Sequence, residues 1–113
     1  MIVVYKIMTP IQWAETAETM KFIGSALDRS DGYIHLSSAS QVEETAIRHF
    51  ADCGNLVLVA VSVAGLGGAL RHEPSRGGEL FPHLYADLEI KHIVWAKHFD
   101  SRRPADLRTL IAE

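Results

Sequence analysis

The sequence predicts an α+β fold, with two small mixed or antiparallel sheets around a cleft and two main helices, and three observations lead there. Apolar strand-like runs stand near both ends and in the middle of the chain, only two segments carry substantial helical patterning, and regular strand-helix alternation fails in the second half. A chain of 113 residues supports one hydrophobic core, so residues 1–113 are expected to form a single domain.

Residues 2–8, IVVYKIM, are β-branched and apolar with one interruption, Lys6, and predict a central strand. Thr9, Pro10 and Gln12 then carry a capping box with proline at the first helical position, predicting a helix of about ten residues with Trp13, Ala17 and Met20 on its buried face. Lys21 to Gly24 begin a short extended piece, and Ser30-Asp31-Gly32 supplies turn chemistry. A second helix is expected over 40–53, capped by Ser40 with Glu43 three residues on, and burying Val42, Ala46, Phe50 and Cys53. LVLVAVSV, 56–63, lacks alternation and suits a strand covered on both sides. GLGG, 65–68, reads as a flexible connection, because no Lys-Ser/Thr and no helix follow it. ELFPHLY contains Pro82, which lacks a donor and places that strand at an edge or at a bulge. Residues 90–99 predict a last strand and 104–112 a short terminal helix.

Composition narrows the function classes. The net charge is −3 and the basic residues are scattered, so no footprint for non-specific nucleic-acid binding exists, and a small molecule or a protein is the expected partner. No apolar run reaches the ~20 residues that cross a bilayer, and a cytoplasmic location is expected. The single cysteine, Cys53, has no partner for a disulfide or CxxC pair and is expected to be a buried thiol. Neither HExxH nor GxSxG occurs, which argues against a zinc site and a serine hydrolase, and no metal is expected.

The polar residues in strand positions carry more information. In GYIHLSS, 32–38, alternation sends Ile34 and Leu36 to one face and Tyr33, His35 and Ser37 to the other. The same rule puts Glu79, Phe81, His83 and Tyr85 on one side of their strand, and Lys6 between Val4 and Met8 on the first. An ionisable group among apolar neighbours is costly unless it is paired or lines a wet cleft. His35 therefore reads either as a core imidazole bonded to Ser37 or a backbone carbonyl, or as a cleft group; Lys6 and Glu79 read either as a structural ion pair or as cleft groups.

Taken together, VYKI, GYIHLSS, QVEETA, NLVLVAV, RHEPS and GELFPHLY closely resemble the small bacterial proteins grouped as domain of unknown function 952. The resemblance implies a fold similar to the ADP-ribosyltransferases, two small sheets around an NAD-binding cleft, with the RNA 2′-phosphotransferases nearest in pattern. Those enzymes carry a His-x-His-Leu-Ser strand, then a helix ending near Arg-His, then an apolar strand; Tyr33 to Ser37, Arg48-His49 and Leu56 to Val63 keep that order.

The resemblance implies that His35 holds a ribose or nucleotide, that Glu79 stabilises an oxocarbenium ion, and that His83 is an alternative polar group there. Tyr33 or Tyr85 would stack on a base, Arg71 or Arg76 would pair with a pyrophosphate, and Ser37 would help hold the ribose. Lys6 stands where the transferases usually have a histidine, which weakens NAD turnover while leaving phosphate contact open. The expected functions are an NAD-dependent transferase, with NAD as substrate, a nucleotide- or metabolite-binding module, or a protein-interaction domain.

Overall fold

The computed structural model describes residues 1–113, and all its strand pairings are antiparallel. The largest sheet joins β1 (Val3–Met8), β4 (Asn55–Ser62) and β8 (Ile93–Asp100), with β4 in the centre. The unbroken apolar run of β4 is explained by this place: Leu56 to Val61 are wholly buried, because both faces of the sheet are covered. Val57, Val59 and Val61 join Val4 and Met8 against Phe22, Ile34, Leu36, Leu84 and Leu88. Leu56, Leu58 and Ala60 join Tyr5 and Ile7 against Val42 and Ala46 of α3 (Val42–His49) and Leu107 of α4 (Asp106–Ala112).

The architecture has three sheets where two were expected. β2 (Lys21–Phe22) pairs with β7 (Leu88–Glu89), and a further sheet has the order β3 (Ile34–His35), β6 (Leu80–Leu84), β5 (Leu70–Pro74). Two-residue strands have no periodicity to see in a sequence.

Pro82 corrects the edge assignment, since β6 is a central strand. The Pro82 carbonyl accepts from Leu36 N at 3.0 Å, so the position of its missing donor faces β3, and the ladder to β5, where His72 is its partner, loses nothing. The loss falls where β3 ends. One residue later the chain joins β1, with Tyr5 N donating to Ser37 O at 2.7 Å and Ser37 N to Tyr5 O at 2.9 Å.

The helices differ from expectation in instructive ways. α1 (Pro10–Thr19) has the expected capping box, with Gln12 N donating to Thr9 Oγ1 at 3.1 Å and Thr9 N to Gln12 Oε1 at 2.9 Å. Thr9→Ala should therefore lower stability by about 1 kcal/mol, read as a shift in urea midpoint. Its inward residues are Trp13 and Thr16, while Ala17 and Met20 are exposed; the Thr16 hydroxyl is satisfied by Gln12 O at 2.8 Å. A helix that sequence analysis missed, α2 (Ala26–Asp31), starts with a capping box between Ser25 and Asp28 and ends at Gly32, whose φ of 89° is the left-handed conformation that suits glycine.

α3 is shorter than the expected 40–53 helix, and Ser40 does not cap it. Gln41 Oε1 instead accepts from Ser38 N at 3.0 Å, and Glu43 is taken by Arg108 of α4 at 2.6 and 2.9 Å. Because α3 stops at His49, Cys53 leaves the buried stripe and is exposed, contrary to the buried thiol expected.

Candidate functional site

Where β3 leaves β6 for β1, a cleft of about 250 Å³ opens. It is lined by Lys6 of β1, His35 of β3, Ser37, Thr45 and His49 of α3, Arg76, and Phe81 and His83 of β6. Five residues singled out from the sequence, Lys6, His35, Ser37, Arg76 and His83, thus meet on one surface. Tyr33 precedes β3 and Tyr85 follows β6, and the Tyr33 ring lies against those of His35, His83 and Tyr85, as alternation expects, but neither tyrosine is part of the cleft lining. They line a neighbouring hollow, also about 250 Å³, with Arg29, Leu84 and Asp87. The Arg71 guanidinium lies over the Tyr85 ring at 4.7 Å. Glu79 is exposed and accepts from Gln41 Nε2 at 3.0 Å, outside the cleft lining.

Asp28 is the hub of the cleft. Its carboxylate, 3% exposed, receives Lys6 Nζ at 2.9 and 3.2 Å, Ser25 N at 2.9 Å, and both the His35 backbone N, at 3.1 Å, and the His35 Nδ1, at 2.6 Å. The ion pair expected between Lys6 and Glu79 is therefore made with Asp28 instead, and Lys6 donates its other bond to His35 O at 3.0 Å. Burial alone would push the Asp28 carboxyl up, but the His35 bond, the Lys6 charge and the Ser25 amide together hold it well below the ordinary carboxylate range. For Lys6, burial draws the ammonium below the ordinary lysine range, against the opposing pull of Asp28.

His35 and His83 are direct partners in the β3–β6 ladder, and their ring centroids are 5.7 Å apart at 69°. Each ring is mounted on a carboxylate. His35 Nδ1 meets Asp28 and its Nε2 lies 3.0 Å from Asp31 Oδ2; His83 Nδ1 lies 2.8 Å from Glu73 Oε1. Glu73 also receives the Tyr85 hydroxyl at 2.7 Å, and these bonds, the tyrosine's first, hold its carboxyl below the ordinary value. Tyr33 stacks on His83 at 4.0 Å and contacts His35 at 4.7 Å, which fixes the planes of both imidazoles. Across the cleft, Ser37 Oγ and Thr45 Oγ1 are 3.1 Å apart, and Arg76 reaches Thr45 Oγ1 at 3.5 Å while lying over Phe81 at 4.8 Å.

A family model described as "Protein of unknown function (DUF952)" matches residues 7–96. The chain belongs to this family. Among solved structures, the DUF952 chain is similar to the crystal structure of protein CC0527 from Caulobacter crescentus, at 42% identity over 87% of this chain and 84% of that one, with a TM-score of 0.80. The solution NMR structure of CC0527 gives 42% identity, 88% and 86% coverage and a TM-score of 0.79. None of the curated proteins matches.

In this DUF952 protein, sequence reasoning missed Asp28, Thr45 and His49 as cleft residues. Asp28 had two signals: the Ser25-x-x-Asp28 capping pattern, and the need of a buried lysine for a carboxylate. No helix is long and apolar enough to cross a membrane, and no cluster of three His, Cys, Asp or Glu side chains is placed to hold a metal ion.

Proposed function

We propose that the cleft binds a phosphorylated nucleoside, with His35 against the ribose and Arg76 against the phosphate. One observation carries this reading: a half-buried arginine and the Ser37 and Thr45 hydroxyls face the same small cleft as the carboxylate-mounted His35. Lys6 is neutralised by Asp28, which leaves Arg76 as the cation suited to a phosphate. Its one carboxylate contact is with the exposed Glu44, at 3.7 Å.

Size selects within the nucleotides. At about 250 Å³ the cleft lies just below the range of ligand pockets, ~300–1,000 Å³, and suits a mononucleotide better than a dinucleotide. NAD or ADP-ribose would extend into the hollow beside Tyr33 and Tyr85, where a base could stack. Cleavage of NAD, as in the ADP-ribosyltransferases the sequence resembles, would further need Glu79 to leave Gln41 and turn inward. Recognition of a nucleotide is therefore the better-supported reading.

Thermal unfolding with and without adenosine 2′-monophosphate, NAD and ADP-ribose tests it. A nucleotide at 100 times its dissociation constant should add about 2.7 kcal/mol, and His35→Ala or Arg76→Ala should abolish the shift. Absence of a shift with all three compounds would overturn the proposal.

A further inference from the structure

We infer that His35 and His83 form a general acid-base pair that hydrolyses a phosphodiester within the bound nucleotide, with nucleoside 2′,3′-cyclic phosphates as the substrate class. The inference rests on the nucleotide-binding reading above and adds a reaction to it. Two cleft imidazoles sit on neighbouring strands, opposite each other in register, 5.7 Å between ring centroids, each with Nδ1 held by a carboxylate from a different element. That arrangement fixes the orientation of each ring and makes Nε2 the working atom of both. His83 makes its hydrogen bond at Nδ1, and its side chain, 4% exposed, lines the cleft and not the neighbouring hollow.

The two rings are not equivalent, and the difference assigns their roles. His35 Nε2 lies 3.0 Å from the exposed Asp31 carboxylate, which can only accept, and this neighbour suits His35 to the role of acid, its Nε2 carrying the proton that is given up. His83 meets a carboxylate at one nitrogen, so its Nε2 is left to accept a proton and is the base. A substrate phosphate would replace Asp31, 40% exposed at the end of α2, as the partner of His35 Nε2.

In the step, His83 Nε2 takes a proton from water as the water oxygen bonds to phosphorus. The bond from phosphorus to one ribose oxygen breaks, and that oxygen takes the Nε2 proton of His35. One water is consumed and a nucleoside phosphomonoester leaves; nothing is oxidised or reduced. Solvent then returns a proton to His35 and removes one from His83. Arg76 supplies the charge that the two non-bridging oxygens need as it builds up. A cyclic mononucleotide places a diester in a cleft too small for two nucleosides.

The test incubates the natural chain with adenosine 2′,3′-cyclic phosphate and follows the monoester by phosphorus NMR, beside thermal unfolding with adenosine 2′-monophosphate. Turnover is expected, falling ~10²-fold or more in both His83→Gln and His35→Gln. Should His83→Gln fail to fold, the half-buried His35 decides the matter through its own variant. Stabilisation by the monophosphate without turnover would overturn the acid-base pair and leave the nucleotide site standing. Neither stabilisation nor turnover would overturn both, and turnover unchanged in the folded variants would overturn the assignment to these histidines.

Discussion

Asp28→Ala is expected to destabilise the protein by about 3–5 kcal/mol, because it strands the buried Lys6 ammonium with the His35 carbonyl as its remaining acceptor. Lys6→Met should cost less. It leaves Asp28 with the His35 ring, the His35 amide and the Ser25 amide, and it puts a side chain of similar volume between Val4 and Met8. Equilibrium urea denaturation of the two variants reads this asymmetry, and equal losses would contradict it.

The same carboxylate makes stability depend on pH. An unfolded aspartate titrates near pH 3.9, roughly, whereas Asp28 in the fold is held well below its ordinary value. A depressed folded value means that the contribution of Asp28 is complete above about pH 5 and is lost progressively as pH falls below about 4. The urea midpoint of the natural chain should therefore drop between pH 5 and pH 3, roughly, and the drop should be smaller in Asp28→Asn.

Leu84→Ala should cost about 2–5 kcal/mol and also weaken nucleotide binding. Leu84 is 1% exposed, pairs with Ile34 on one side and Leu70 on the other, and packs with Val4, Met8, Leu36 and Leu88. It stands beside His83 in β6 on the opposite face, so the void left by truncation lies under the strand that carries the cleft histidine. Ligand-dependent thermal shift in this variant should be smaller than in the natural chain even where both are folded.

Much of this was legible from residue patterns. The uninterrupted apolar run 56–63 identified the best-buried strand, and alternation in 33–37 separated Ile34 and Leu36 of the core from His35 and Ser37 of the cleft. Tyr33 and Tyr85 keep to the histidine side as alternation expects, with Tyr33 stacked on His83 and 5.2 Å from Tyr85, but they line the neighbouring hollow and not the cleft. Asp28 stayed hidden: α2 is one and a half turns long and carries no apolar stripe, so only its cap announced it. The pairing of Lys6 with Asp28, and not Glu79, is a contact across 22 residues that no local pattern encodes.

The handover of the chain from β6 to β1 has a wider meaning. Beside the opening, a proline cannot return a bond to Leu36, and Ser37 and Tyr5 clasp through main-chain atoms. The main chain thus sets the frame on which the side chains of the cleft are mounted. Relatives that keep this proline should inherit the same mould while exchanging its imidazoles, hydroxyls and arginine, so likeness of shape within the family is a weaker guide to chemistry than the residues at 35, 76 and 83.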